Sequence, residues 1–136
     1  MKFNIRKLTE NDWDTLVSWW KAWPGWDAPV KEFLPDNGTS GLIVEKNNIP
    51  IVAGFLYFTN STAVLLEWII SNPEYKNKDR TKAIETLIES AEIFCKKNNK
   101  KYMFSISKNK SLTEIHKKLN WFVDEKPSYE ITKKIN

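Results

Sequence analysis

Ser71-Asn-Pro-Glu-Tyr-Lys-Asn-Lys-Asp-Arg-Thr-Lys-Ala-Ile-Glu-Thr-Leu-Ile88 is the stretch whose reading decides the fold. A strand-like apolar run ends at Ile70, a basic turn follows, and a long amphipathic helix starts near Asp79. The order strand–turn–helix aims the amide end of a helix at a loop holding Lys76, Lys78 and Arg80. The first N–H groups of a helix lack intrahelical partners and the dipole is positive there, so such a place suits a phosphate.

Working outward, Phe3 to Leu8 alternates as a short strand. Thr9 then caps a helix in which Trp13, Leu16, Val17 and Trp20 follow the i, i+3, i+4, i+7 rule, stopped by Pro24-Gly25. A polar segment with a short helix near Val30–Leu34 leads to Gly38. Gly41 to Glu45, Pro50 to Thr59 and Thr62 to Ile70 read as three consecutive antiparallel strands, with turns at Asn47-Asn48 and Asn60-Ser61. The helix from about Asp79 to Lys97 buries Ala83, Ile84, Leu87, Ile88, Ala91, Phe94 and Cys95. Lys101 to Ser107 reads as a further strand. Ser111-Leu-Thr-Glu114 forms a capping box that opens a short helix, whose apolar face is Leu112, Ile115, His116 and Leu119. Trp121–Asp124 and a strand from about Ser128 to Lys134 close the chain. The class is α+β, one domain over residues 1–136 around a single mixed, mostly antiparallel sheet.

Composition bounds the rest. Hydrophobic residues make up 41% and charged residues 28%, as in an ordinary soluble domain. No apolar run approaches the ~18 residues of a membrane span, and the N-terminus lacks a signal-peptide core. Cys95 is the one cysteine, so no internal disulfide exists, and the expected address is cytoplasmic without membrane attachment. One histidine and one cysteine cannot supply a usual zinc set, so no metal is expected. The net charge of +4 is carried by lysine, since Arg6 and Arg80 are the only arginines. Lysine is a poor bidentate reader of base edges, and no nucleic-acid partner is expected.

The element order, with three local words, resembles the GNAT-type N-acetyltransferases from about Phe3 to Ile135. Ile49-Pro-Ile-Val-Ala-Gly-Phe55 is similar to the family's third strand. Leu66-Glu-Trp-Ile-Ile-Ser-Asn-Pro-Glu-Tyr75 is similar to its fourth strand and the entry to its acetyl-CoA loop. Asn109-Lys-Ser-Leu-Thr-Glu-Ile-His-Lys-Lys-Leu-Asn-Trp121 keeps the spacing of its late helix, and Ser128–Ile135 resembles its last strand. The resemblance implies a sheet of about six or seven strands flanked by about four helices. It also implies acetyl-CoA as co-substrate. In the family loop, Gln/Arg-x-x-Gly-x-Gly/Ala brings bare backbone to the pyrophosphate. Here Lys76 stands at the leading position, Asn77 at a frequent Gly, and Asp79 and Thr81 at the two motif glycines. Asn and Asp tolerate left-handed backbone, Thr81 adds a hydroxyl, and Asp79 repels a pyrophosphate unless it caps the helix.

By the same resemblance, amides around Ile70 and Ser71 would hold the thioester carbonyl. Glu67 aligns with the acid many members use as base, and its apolar strand would raise its pKa. The alternative is an outward Glu on a half-exposed strand. His116 stands where the family has the tyrosine that protonates the leaving thiolate; otherwise it is a satisfied core residue. Asn109 is a cofactor contact or a plain loop residue. Trp19, Trp23 and Trp26, with Asp27, exceed what packing one short helix requires. They border the acceptor pocket of the resembled fold, or else seal a small core or a homodimer contact. The expected activity is transfer of acetyl to a primary amine of a small molecule or peptide. Its rivals are a catalytically silent module of the same fold and a small basic nucleic-acid-binding domain.

Overall fold

A computed structural model of the chain describes residues 2–135. Its elements are β1 (Asn4–Lys7), a 3-10 turn at Glu10–Asp12, α1 (Trp13–Ala22), and 3-10 turns at Lys31–Phe33 and Pro35–Gly38. They continue as β2 (Gly41–Lys46), β3 (Ile49–Phe58), β4 (Ala63–Ser71), α2 (Arg80–Lys97), β5 (Tyr102–Phe104) and α3 (Lys110–Lys118). The sheet runs β1-β2-β3-β4-β5, antiparallel throughout except that β5 lies parallel to β4.

The period-two alternation of the strands divides the core into two halves. Val44, Val52, Leu56, Val64 and Leu66 face α2, whose Ala83, Leu87, Ile88, Ala91 and Cys95 are all buried. On the other face Ile43, Ala53, Phe55 and Ile70 meet Leu16, Trp19 and Trp20 of α1. Trp20 stacks on Phe55 with ring centroids 6.3 Å apart. The entry to α1 is fixed by Arg6 of β1: its guanidinium forks onto Asp12 at 2.8 and 2.9 Å, and Asp12 Oδ2 also accepts the Thr9 amide at 2.8 Å. That bidentate pair holds the Asp12 carboxyl below the usual carboxylate range.

Two details of the meander decide where Lys46 and Trp68 sit. Asn47 and Asn48 take left-handed φ of 54° and 64°, as a tight hairpin requires, and this brings Lys46 round to the start of α2. In β4 the register shifts: Ala53 pairs with Ile70 but Phe55 pairs with Glu67, so Trp68 and Ile69 together oppose Gly54. This is a β-bulge, and Trp68 sits in it at φ 58°. Gly54 is needed opposite, because a Cβ there would stand 3.2 Å from Leu87 and 3.3 Å from Ile69.

The structure corrects several expectations. Among the described residues there are five strands and three α-helices rather than six or seven and about four, whereas the short helix expected near Val30–Leu34 is present as the 3-10 turn Lys31–Phe33. The strand expected over Lys101–Ser107 keeps only Tyr102–Phe104, since beyond Phe104 the chain leaves β4. Residues 121–124 and 128–134 form no strand. Their alternation is real, but no neighbouring backbone pairs with it, and Tyr129 and Ile131 stay exposed. The short helix is capped by Asn109, whose Oδ1 accepts the Leu112 amide at 3.1 Å, and not by Ser111.

Core substitutions separate the packing terms. Trp20→Ala should cost about 3–5 kcal/mol in urea unfolding, since the indole is fully buried between α1 and Phe55. Gly41→Ala should cost about 1–3 kcal/mol by overpacking, because its Cβ would overlap the Gly54 carbonyl and approach Leu8 Cδ1 to 2.9 Å. A wild-type midpoint for either variant would contradict this packing.

Candidate active site

The strands β4 and β5 pair only at Ala63–Leu65 with Tyr102–Phe104. In a parallel ladder the next rung would carry the Ile106 N–H to the carbonyl of Leu66. Ile106 N instead donates to the side chain of Glu67, 2.7 Å from Oε1. A carboxylate therefore stands where the ladder parts. Glu67 is half-buried, and desolvation raises its pKa to about 7; the Ile106 hydrogen bond pulls the other way and the nearby Glu130 carboxylate adds to the rise. Glu130 is brought there by the C-terminal segment, where it pairs with Lys108 at 3.2 Å.

The bulge beside Glu67 is braced from the α1 face. Trp68 Nε1 donates to Tyr57 Oη at 3.0 Å, and Tyr57 donates onward to the Phe33 carbonyl at 3.2 Å. The edges of Trp20 and Phe33 meet the Trp68 ring at centroid distances of 6.4 and 6.2 Å. Burial and the Glu67 charge push the Tyr57 phenol up, so it stays protonated. A left-handed tryptophan costs of the order of 1–2 kcal/mol, and these contacts hold it in place.

At the end of β4, Asn72 N donates to Ile51 O at 2.7 Å. Ladder alternation then gives Ile70 to β3 and turns both backbone groups of Ser71 away from it. Of the two expected amides, only that of Ser71 faces outward from the β3 pairing. The Ser71 carbonyl accepts Trp23 Nε1 at 2.8 Å, and the Trp23 ring lies under the Arg80 guanidinium, 5.6 Å from its centroid. Trp23 thus ties the end of α1 to the end of β4 and the start of α2.

Beyond Ser71, at the loop expected to hold phosphate, lies a pocket of about 240 Å³ lined by Lys76, Asn77, Lys78, Arg80 and Thr81. Asp79 is the member of this run that does not line it. Its carboxylate makes no cap: Oδ2 pairs with Lys46 at 2.6 Å and Oδ1 accepts the Tyr75 hydroxyl at 2.7 Å. The Lys46 hydrogen bond, followed by that of Tyr75, holds the Asp79 pKa below its usual value. A more open depression of about 430 Å³ lies at Glu10, Val30, Lys31, Glu32 and Asn37.

The remaining expected site residues separate. Trp19 is buried in the α1 core, which leaves nothing for a ligand to touch, and Trp23 is a strut between elements. Trp26 is 43% exposed and Asp27 is exposed. Asn109 is occupied as the α3 cap. His116 is buried, edge-on to Trp121 at 4.7 Å. Its Nδ1 lies 2.8 Å from the Leu112 carbonyl. A carbonyl only accepts, so Nδ1 carries a proton, and Nε2 is buried without a hydrogen-bond partner among the described residues. Sequence pattern alone does not single out Lys46, Tyr57 or Tyr75. Tyr57 is recoverable from the hairpin register opposite Leu65, whereas nothing local marks Lys46 as a partner of Asp79.

No family model matches the chain, and no curated protein matches it by sequence. Solved structures share its fold. The aminoglycoside N-acetyltransferase AAC(6')-Iy, in complex with the bisubstrate analog CoA-S-monomethyl-acetylneamine, superposes with TM-score 0.66 at 18% identity, over 98% of this chain and 99% of that one. A ribosomal-protein-alanine N-acetyltransferase from Brucella melitensis biovar Abortus 2308 gives 0.70 at 12% identity, over 99% and 100%. An aminoglycoside acetyltransferase from an uncultured soil metagenomic sample, in complex with sisomicin, gives 0.67 at 11% identity, over 98% and 97%. The chain has the GNAT acetyltransferase fold.

The environment of Glu67 has a pH signature in stability. Its folded pKa lies above the unfolded value, so burial of the charged form is a penalty absent at low pH. The penalty grows as pH rises from about 4.5 to about 7. Glu67→Gln keeps an acceptor for Ile106 and removes the charge. It should melt higher than wild type at pH 8, with the gap closing near pH 4. A gap that is constant with pH would show that Glu67 titrates normally.

Proposed function

We propose that the protein is an N-acetyltransferase that moves an acetyl group from acetyl-CoA directly to a primary amine of a small molecule or peptide. One observation carries the reading: a half-buried carboxylate titrating near neutrality stands where β4 and β5 part, on the strand that leads into a cationic pocket at a helix start. The fold is that of enzymes whose structures hold CoA or a CoA bisubstrate analog.

The residues present fit the co-substrate. Lys76, Lys78 and Arg80 supply positive charge around the pocket, and Asn77 and Thr81 add neutral polar groups. When bound, acetyl-CoA supplies the thioester carbon that an amine attacks. The outward-facing Ser71 amide is the group we assign to the thioester oxygen. Glu67, ionised above about pH 7, takes a proton from the acceptor's ammonium, directly or through a water; the neutral amine so freed bonds to the thioester carbon as the C–S bond breaks, and the proton its nitrogen then sheds passes to the departing CoA sulfur. Asp27 and the exposed Trp26 face are assigned to the acceptor side, where an indole and a carboxylate favour a cationic amine. His116 is assigned to packing, because its proton is committed to Leu112.

A specific observation favours a second reading, a catalytically silent module of the same fold: the two loop glycines are replaced by Asp79 and Thr81. Calorimetry and a melting curve with acetyl-CoA decide between them. At 100 times its Kd the ligand should add ~2.7 kcal/mol, a shift of roughly 5–10 °C in a domain of this size. With an accepted amine, Glu67→Gln should lower kcat at pH 8 by roughly 10²–10⁴-fold, and wild-type kcat/KM should rise with pH through about 7. Absence of binding at millimolar acetyl-CoA ends the enzyme reading. Binding without turnover on a broad amine panel selects the silent module.

A further inference from the structure

The acid at the glycine position of the loop is disarmed from outside the loop. Lys46 ends β2, and the left-handed pair Asn47-Asn48 turns the hairpin so that its Nζ reaches Asp79 at 2.6 Å. The Lys46 ammonium also lies over the Phe3 ring, 5.8 Å from its centroid. The hydroxyl of the buried Tyr75 takes the second Asp79 oxygen at 2.7 Å. Both carboxylate oxygens are therefore engaged on the side away from the pocket that Lys76, Asn77, Lys78, Arg80 and Thr81 line. Among the described residues, the amides of Thr81 and Lys82 in the first turn of α2 have no intramolecular partner.

We propose that Lys46 and Tyr75 are positioning residues for the acetyl-CoA loop: together they neutralise Asp79 and hold it off the anion pocket, replacing by a charge clamp what glycine would supply by being bare. Neither residue touches the ligand in this scheme. Without Lys46 the carboxylate is an uncompensated anion at a helix N-terminus. It is then free to swing onto the first-turn amides, as Asp does at many helix starts. A pyrophosphate meets both a like charge and a competitor for its donors. The clamp deepens the acetyl-CoA reading and rests on it.

Calorimetric titration with CoA at low salt tests the clamp in four proteins: wild type, Lys46→Met, Asp79→Asn and the double variant, each checked for an intact melt. Lys46→Met should weaken CoA ~5- to 30-fold, the size of a like-charge encounter across a few ångströms of solvated protein, and the deficit should shrink in high salt. The double variant has the net charge of wild type and should bind within about threefold of Asp79→Asn alone, since the clamp has nothing left to restrain. Lys46→Arg should retain most of the affinity. A folded Lys46→Met that binds as wild type overturns the clamp and leaves the enzyme reading standing. A double variant as weak as Lys46→Met also overturns it, because Lys46 would then act on the ligand itself. Wild type that binds no CoA overturns both readings together.

Discussion

The missing rung between β4 and β5 is the constraint on which the site depends. Where the strands part, the Ile106 N–H finds its partner in a side chain instead of the Leu66 carbonyl. That bond fixes the carboxylate in place beside the parted strands, and desolvation outweighs it, so that the acid titrates near neutrality. The bulge at Trp68 belongs to the same device. It puts Trp68 on the α1 face beside Glu67, where its indole is anchored through Tyr57 to the Phe33 carbonyl. Strain in one residue and a lost ladder bond are the local costs of this opening, and the packing of Trp20 and Phe33 around Trp68 offsets them.

Charge is divided along β4. The middle of the strand holds the neutral-titrating Glu67 near Glu130; its C-terminal end runs on toward Lys76, Lys78 and Arg80. A loop poor in glycine would ordinarily crowd an anion with side chains. Here Asp79 is turned back toward Lys46 at the end of β2 and neutralised there, and Arg80 is steadied over the Trp23 ring. The loop keeps its cationic face because the hairpin of β2 and β3 supplies the counter-charge.

Seven tryptophans in so short a chain invite a single explanation, and the structure divides them. Trp19 and Trp20 are core, Trp13 packs at a tilt against Trp20, and Trp68 braces the bulge. Trp23 is a strut with its N–H on Ser71, Trp121 covers His116, and Trp26 is largely in solvent. An indole offers both a large apolar body and one donor, so it can pack and tie in one residue. The crowding between the end of α1 and the 3-10 turns is therefore mostly structural.

What the sequence determined by itself is everything that rests on short-range period and turn chemistry. The three-strand meander, both long helices with their apolar faces and the basic loop before α2 were all legible, because alternation, a 3.6-residue stripe and Asn-rich turns are local signals. So was the desolvation of Glu67, from its apolar strand. Tertiary structure decided the rest. Alternation at residues 128–134 could not make a strand without a neighbour, and the strand after Lys101 shortened because Glu67 took the bond that would have extended it. Ser111 yielded the cap to Asn109, and Trp19 went to the core because the register of α1 pointed it there. Above all, whether Asp79 would repel or leave the pocket free depended on a lysine 33 residues away. Long-range pairing of charges is set by how a hairpin and a helix meet in space, and no local pattern records it.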